Sequence, residues 1–279
     1  MALISNTYGK GRVRVMRVHR AGDRQEVREL TVQVMLEGDF DRAFTDADNS
    51  TSLCTDTMKN VVNIVAREEL TADPEEFCEA VAKRLLERYD SVAKATVSGH
   101  ETAWKRLEID GAEHPHAFTL DANGKPFARV VMTNGATSVE SGVSGFTFLK
   151  STQSGWASYI KEPYTTLPET NDRIAATAMD ATWRWHANPA DYAASNKRIL
   201  EAMLKEFATT YSHSVQDSLY RMGLAALAAA PEIAQITLAC PNKHYLLANL
   251  APFGLDNPNN VFIATDEPHG QIECTVGRD

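Results

Sequence analysis

Strict alternation of apolar and polar residues near the start of the chain constrains the fold more than any other feature. Every second residue from Leu30 to Leu36 is a leucine or a valine. Just upstream, Val13 and Val15 alternate with arginines, and the segment Ala21–Asp23 separates the two runs with turn-forming residues. A period of two places the apolar side chains on one face of a strand. The pattern therefore predicts an antiparallel hairpin with one buried face.

Two amphipathic helices are predicted after this hairpin. One begins near Thr55, and its apolar face consists of Met58, Val61, Val62 and Val65. For the next helix, Asp73 is a suitable N-cap and Pro74 suits the first helical position. Its apolar residues follow at steps of four: Phe77, Val81, Leu85 and Tyr89.

Extended segments complete the first half of the chain. Residues 95–107 have an extended pattern, and Asn123-Gly124 is a typical turn between Phe118–Leu120 and Phe127–Met132. The sequence thus predicts a second hairpin at this turn.

The same order of elements repeats in the second half. Strands are predicted over Val139–Lys150 and around Ala181–Trp185, with a return to extended structure over Ile233–Leu250. Between them, Asn188-Pro189 is the predicted start of a helix with the apolar face Tyr192, Ile199, Met203 and Phe207. Ser214 is the predicted cap of a further helix that contains Leu219, Met222 and Leu227.

These elements predict an α+β fold in which antiparallel sheets carry helices on one face. Asn134, Gly135 and Gly142 interrupt the pattern between the halves. We therefore expect two modules, residues 1–138 and 139–279.

Composition excludes several classes of protein. The formal net charge of -9 argues against a nucleic-acid partner, which needs a basic surface. The 4 cysteines are far apart and form no Cys-x-x-Cys pair, so neither a zinc site nor a disulfide framework is indicated. The sequence has no signal-peptide pattern, no apolar run that would span a membrane and no C-terminal Ser-Lys-Leu. A cytoplasmic location without membrane association is expected.

Two short segments of the first half carry side chains suited to catalysis. Lys10 lies between two glycines and is either a surface lysine or a partly desolvated amine that acts as a base. Thr55 and Asp56 open a predicted helix, where such residues are commonly caps. The positive end of a helix is also a favourable place for an anion, so both interpretations stay open.

Two further segments lie in the second half. The guanidinium of Arg173 is able to bind a planar heterocycle through two donors, although an ion pair with Asp172 or Glu169 is the simpler alternative. The amide of Gln216 offers a donor and an acceptor to a lactam edge, unless it is merely exposed in the first turn of its helix. In the fourth segment, His244 and Asn242 are candidate site residues. The alternatives are a structural role for His244 and a turn position for Asn242.

Metal binding has little support in the sequence. The pair His114 and His116, separated by a proline, is the nearest approach to a metal motif. Such a pair in a polar stretch is more often a surface feature, and we expect no metal site.

These segments occur together and in order along the chain. On that basis the sequence resembles the urate oxidase family. The matching strings are Tyr8-Gly9-Lys10, Thr55-Asp56-Thr57-x-Lys59-Asn60, Leu149-Lys150-Ser151-Thr152, Tyr164-Thr165-Thr166-Leu167, Glu169-Thr170 with Asp172-Arg173, Asp180-Ala181-Thr182-Trp183, Ser214-Val215-Gln216, Pro241-Asn242-Lys243-His244-Tyr245 and Cys274-Thr275-Val276-Gly277-Arg278. The resemblance runs from Tyr8 to Arg278.

The resemblance implies a tunnelling fold, in which tandem modules form a barrel-like homotetramer with sites between subunits. It implies that Lys10 and Thr55 are a catalytic pair and that His244 completes a proton relay. No cofactor and no metal would be required. The small-molecule partners would be urate and dioxygen, with 5-hydroxyisourate and hydrogen peroxide as products.

The same resemblance assigns the residues that bind substrate. Asn242 and Thr55 would hold dioxygen or water above the ring, while Arg173 and Gln216 would bind opposite edges of the purine. The backbone of Asp56 and of Val215 would assist. Where the family commonly has a stacking phenylalanine, this chain has Trp156, which also offers an aromatic face.

Two other functions are compatible with parts of the pattern. A tunnelling-fold pterin or purine hydrolase would need a glutamate anchor and a Cys/His zinc site, and the sequence has no convincing arrangement of either. A non-catalytic purine-binding protein would retain Arg173 and Gln216, but it would not need Lys10, Thr55 and His244 together.

Overall fold

The computed structural model describes residues 1–20 and 22–278, apart from the side chain of Asp266. The chain packs as two compact units. The first comprises Met1–Gly142 with Arg184–Ala194, and the second comprises Val143–Trp183 with Ser195–Asp279. Because this division falls inside a long strand, the module boundary after residue 138 stays a prediction.

The first unit is built from an antiparallel sheet and short helices. Its strands are β1 (Tyr8–Arg20), β2 (Gln25–Gly38), β3 (Val92–Glu101), β4 (Trp104–Ile109), β5 (Ala112–Leu120), β6 (Lys125–Thr133) and the first part of β7 (Thr137–Lys150). Its helices are α1 (Asp41–Thr45), α2 (Thr55–Glu69) and α3 (Pro74–Arg88). The strand order is β1-β2-β3-β6-β7, and β4 and β5 form a separate two-stranded ribbon.

The predicted β1–β2 hairpin is confirmed. Val13 lies opposite Val32 and Val15 lies opposite Leu30 in an antiparallel register. All four apolar residues of the Leu30–Leu36 alternation are buried, with exposed fractions of 2% or less. Of the predicted turn, Ala21 lies outside the described residues. Helix α2 packs against β1, while α3 packs against β3 and β6, so the helices contact the sheet of this unit on its buried side.

The second predicted hairpin is wrong. A bend does occur at Asn123-Gly124, and Gly124 has a φ of 82°. However, β5 pairs with β4, whereas β6 pairs with β3. The extended segment predicted over residues 95–107 is likewise divided between β3 and β4.

Both predicted helices of the first unit are confirmed, with corrections at their ends. Helix α2 buries Met58, Val61, Val62 and Val65 together with Ala66. Helix α3 begins at Pro74, but the Asp73 side chain does not cap it and instead accepts a hydrogen bond from the backbone N–H of Ala193 at 2.8 Å. Tyr89 lies beyond the end of α3 in an extended conformation, so it is not part of the helical face.

The second unit also combines antiparallel strands with helices. Its elements are the remainder of β7, most of β8 (Ala175–Trp185), most of α4 (Tyr192–Thr209), α5 (Val215–Ala229), β9 (Ile233–Leu247) and β10 (Phe262–Gly277), with a 3-10 turn at Ala251–Phe253. The strand order is β7-β8-β9-β10. In β8, Ala181, Trp183 and Trp185 are buried as predicted. The α+β class is therefore confirmed, and none of the described helices is long and apolar enough to span a membrane.

Hydrogen bonds at helix ends correct one predicted helix start. They also give structural roles to Lys150 and Arg278, which lie in two of the strings that match the urate oxidase family. Helix α4 begins at Tyr192 rather than at Asn188-Pro189, because Asp191 accepts a hydrogen bond from the backbone N–H of Ala194 at 2.7 Å. The amine of Lys150 donates to the carbonyl oxygens of Phe207 and Thr210 at 3.1 and 2.8 Å, and it therefore satisfies the C-terminal end of α4. Arg278 does the same for α5 through carbonyls that include Ala230 at 3.1 Å. These two strings thus have structural roles.

Candidate active site

The Tyr8-Gly9-Lys10 segment is held tightly at the start of β1. Gly9 lies opposite Met35 of β2, and a Cβ at Gly9 would be only 1.8 Å from the carbonyl oxygen of Val34. Only glycine permits this approach. A bulge follows Lys10, where the β1–β2 register shifts and Arg12 has a φ of 56°. Lys10 thus projects from a strand whose backbone is fixed on one side and bent on the other.

The first turn of α2 lies near this lysine. Thr55 is the first helical residue, so its interpretation as an N-cap is wrong: Cys54 occupies the cap position and makes no side-chain capping bond. Asp56 forms an ion pair with Lys59 and accepts a hydrogen bond from Asn60 at 3.1 Å. The hydrogen bond and charge of Lys59 lower the pKa of Asp56, and Lys10 adds a smaller electrostatic contribution. The first unit therefore brings together Lys10, Thr55 and Asp56 at the positive end of a helix.

Arg173 is the principal cation of the second cluster. Its backbone N–H donates to Ser154 at 2.9 Å, while its Nε is buried and has no hydrogen-bond partner among the described residues. Burial lowers the pKa of the guanidinium.

The simpler interpretation of Arg173 as one half of a local ion pair is not supported. Asp172 accepts instead from Thr152 at 2.7 Å. Glu169 pairs with Lys161 at 3.2 Å. Among the described residues, therefore, neither acid satisfies the guanidinium.

Val215 and Gln216 form the first turn of α5. Ser214 caps this helix as predicted, since its hydroxyl accepts from the backbone N–H of Asp217 at 3.0 Å. Gln216 is exposed, as both of its interpretations require. The cap fixes the direction in which this first turn presents its N–H groups and the Gln216 amide.

Asn242 lies beside that helix start, on β9. A small cavity of about 20 Å³ is lined by Val215 and Asn242 together with Ser154 and Ser214. Because Ser154 also accepts from the backbone of Arg173, the second unit gathers Arg173, Val215 and Asn242 around one segment. His244 follows on β9 and is partly exposed, opposite Thr265 of β10.

Trp156 lies on the same segment, but its ring is already stacked. Its backbone exchanges hydrogen bonds with Thr170 at 2.7 and 3.0 Å. The indole lies against Tyr159 with a centroid separation of 5.4 Å and an interplanar angle of 13°. The assignment of Trp156 to substrate stacking therefore stays a prediction.

Two tyrosines with structural contacts beside these clusters were missed as individual candidates. The Tyr8 hydroxyl bonds to the backbone of Leu53, two residues before Thr55. The Tyr211 hydroxyl donates to the carbonyl of Asn171 at 2.8 Å, two residues before Arg173. Tyr8 falls within one of the strings that match the urate oxidase family. Neither tyrosine hydroxyl could be predicted to matter from sequence, because each bonds to a backbone group that is distant along the chain.

No group of three or more His, Cys, Asp or Glu side chains suited to holding a metal ion occurs in the part of the chain described. The rings of His114 and His116 lie edge to face with centroids 4.6 Å apart.

Comparison with known proteins identifies a family. The Uricase family profile matches residues 6–131 and 139–273. The uricase of Arthrobacter globiformis is 38% identical over 279 residues, which cover 100% of this chain and 91% of that protein. The uricase of Aspergillus flavus is 37% identical, with 97% of this chain and 95% of that protein covered.

Solved structures agree with the sequence matches. The crystal structure of the Arthrobacter globiformis uricase superposes with a TM-score of 0.95 at 38% identity, covering 100% of this chain and 96% of that one. A urate oxidase from Bacillus sp. TB-90 shares the fold with a TM-score of 0.85 at 22% identity. With two matched segments that span nearly its whole length, the chain belongs to the uricase family.

Proposed function

We propose that this chain is a cofactor-independent urate oxidase. It converts urate, dioxygen and water to 5-hydroxyisourate and hydrogen peroxide, in the cytoplasm and as a step of purine degradation. Urate already carries one negative charge near neutral pH. Loss of a further proton gives an electron-rich dianion that is able to transfer electrons directly to dioxygen.

The observation that carries the proposal is the state of Arg173. A buried guanidinium nitrogen without a partner is costly, and it is best satisfied by an anionic acceptor. The edge of a urate anion supplies such acceptors in the plane of the guanidinium fork. Gln216 would bind the opposite edge, assisted by the backbone N–H of Val215 at the start of α5.

The remaining residues divide the chemistry. Lys10 polarises the Thr55 hydroxyl, and this pair removes the substrate proton. The backbone of Asp56 helps to bind the ring. Asn242 and Thr55 hold dioxygen or water above the ring plane, and His244 moves the proton onward. Trp156 supplies an aromatic face to the purine.

The balance of the reaction requires no further reagent. Two electrons and two protons leave urate and water and appear in hydrogen peroxide, because the peroxide adduct formed on the ring releases hydrogen peroxide and water supplies the new hydroxyl group. Positioning, proton transfer and stabilisation of the anion are therefore the tasks of the protein.

The proposed site joins groups from both units of the chain. Lys10, Thr55 and Asp56 lie in the first unit, whereas Arg173, Gln216 and His244 lie in the second. On the family pattern, a homotetramer brings the two sets together from neighbouring subunits. Neither nucleic acid nor membrane is a partner in this proposal.

A direct test mixes the purified protein with urate in air. We expect loss of the urate ultraviolet band, with one hydrogen peroxide formed and one dioxygen consumed for each urate. The measurement is repeated after exhaustive chelation and is expected to give the same rate. Loss of activity on chelation with recovery on one defined metal would contradict cofactor independence, and binding of urate without turnover would favour a purine-binding protein.

A further inference from the structure

Tyr8 makes a two-way hydrogen-bonded tie to the segment that leads into α2. Its hydroxyl accepts from the backbone N–H of Leu53 at 2.7 Å and donates to the carbonyl of the same residue at 3.0 Å. Its ring packs edge-on against the fully buried Phe40, with centroids 4.8 Å apart and planes at 89°. The phenol is therefore fixed at both ends.

The two residues joined by this tie each lie two positions before a member of the proposed catalytic pair. Lys10 follows Tyr8 by two residues on β1, and Thr55 follows Leu53 by two residues at the start of α2. Two extended residues span about 7 Å, so little backbone separates the tie from either functional group. The Tyr8–Leu53 contact thus joins the backbone that carries the lysine to the backbone that carries the threonine.

The tie needs an uncharged phenol. A neutral hydroxyl donates and accepts at once, whereas a phenolate only accepts. Burial raises the pKa of Tyr8, which keeps the phenol protonated throughout the neutral range. A phenylalanine here would retain the ring contact with Phe40 and lose both hydrogen bonds.

We propose that Tyr8 is a positioning residue that sets the spacing between the Lys10 amine and the Thr55 hydroxyl. This inference rests on the proposed function, in which those two groups act as one unit. Tyr8 does not itself touch the substrate. It acts by holding the Leu53–Thr55 segment against β1.

The test compares Tyr8→Phe with Tyr192→Phe, each measured for kcat and KM with urate. The Tyr192 hydroxyl is buried without a hydrogen-bond partner among the described residues, so its removal controls for loss of a buried phenol. We expect Tyr8→Phe to lower kcat by roughly 10- to 100-fold, the scale for a displaced catalytic group, with KM nearly unchanged. Tyr192→Phe is expected to keep the kcat of the parent protein.

A second arm separates positioning from a general structural role. Tyr8→Phe is also introduced into Lys10→Met, where no amine remains to be positioned. If Tyr8 acts through the pair, the second substitution causes little further loss of kcat. Equal fold losses in both backgrounds would overturn the inference.

The outcomes distinguish the two proposals. Full activity in Lys10→Met would contradict the catalytic pair itself. A strongly impaired Lys10→Met together with a normal Tyr8→Phe would overturn the positioning role and leave the pair intact.

If Tyr8→Phe does not fold, the same two backgrounds are compared with p-aminophenylalanine at position 8. Its amino group donates well and accepts weakly, so an intermediate loss that vanishes in Lys10→Met is expected, and an equal loss in both backgrounds would again overturn the inference.

Discussion

The carbonyl oxygen of Val34 occupies space that a side chain at Gly9 would need. The separation from an ideal Cβ at position 9 is 1.8 Å, and the contact is with backbone on the neighbouring strand. Backbone of a central strand cannot move aside cheaply, since its other edge is bonded to β3. The glycine of the Tyr8-Gly9-Lys10 string is therefore required by packing, whereas functional roles are proposed for its two neighbours.

Replacement of Gly9 by alanine is expected to destabilise the protein by about 1–3 kcal/mol, the usual cost of overpacking. The matched control is Gly11→Ala, because a Cβ there meets only the Gln33 side chain at 3.9 Å. Chemical denaturation of both variants measures the difference in free energy of unfolding. Equal stability of the two variants would show that the Gly9 contact relaxes at little cost.

The cap of α5 gives a second stability prediction. Ser214→Ala removes the hydroxyl that accepts from Asp217, so we expect a loss of about 0.5–2 kcal/mol. Cys54→Ala is the control, because Cys54 occupies the same position before α2 without a side-chain capping bond. Thermal or chemical unfolding is the measurement, and a loss of stability in the control alone would contradict the assignment of the two caps.

Local patterns predict elements better than they predict pairing. The strand over Leu30–Leu36 and the buried face of α2 are predicted correctly, because burial of one face follows from the residue pattern of the segment itself. The Asn123-Gly124 turn has the right local chemistry for a hairpin, yet β6 pairs with β3. Pairing is decided by competition among distant strands, which no short window contains.

The site shows the same division. The sequence alone is enough to propose Lys10 as a base and Arg173 as an anion-binding residue, since few side chains are suited to either task. The role proposed for Tyr8 does not follow from the sequence, because its tie to Leu53 spans 45 positions and uses backbone atoms. The sequence also does not identify Asp191 as the residue that caps α4. Asn188-Pro189 offers an equally acceptable cap, and only the folded backbone selects between the two.

Substrate recognition is tested by Arg173→Lys. Lysine keeps the charge but loses the planar fork, so the second in-plane donor to urate disappears. We expect urate binding to weaken by about 2–4 kcal/mol, the scale for breaking a buried and hydrogen-bonded charge pair. Arg129→Lys is the control, since Arg129 forms an exposed ion pair with Glu140 at 3.2 Å. Equilibrium titration with a purine inhibitor provides the affinities, and an unchanged value for Arg173→Lys would remove this residue from the site.

Assembly is expected to be necessary for activity. Because the proposed catalytic pair lies in the first unit while Arg173 and Gln216 lie in the second, a homotetramer is expected to complete each site from neighbouring subunits. Activity and sedimentation are measured over the same dilution series. We expect the two to fall together, and a fully active monomer would exclude sites shared between subunits.

The catalytic pair is tested by Lys10→Met and Thr55→Ala, singly and together. Methionine keeps an unbranched stem of similar size, so each variant is expected to fold and still bind a purine inhibitor. If the lysine acts as a base through the threonine, kcat falls by roughly 10²–10⁴ in each single variant, the usual contribution of a positioned general base.

The double variant decides between a pair and two independent residues. If two groups act as one unit, removing either one already abolishes the contribution of both. The fold loss of kcat in the double variant should therefore be much smaller than the product of the two single losses. The acidic limb of the pH–rate profile, which reports deprotonation of the unit, should change in either single variant. Losses that multiply would show that Lys10 and Thr55 act separately. Normal turnover by Lys10→Met would show that the proton leaves urate by another route.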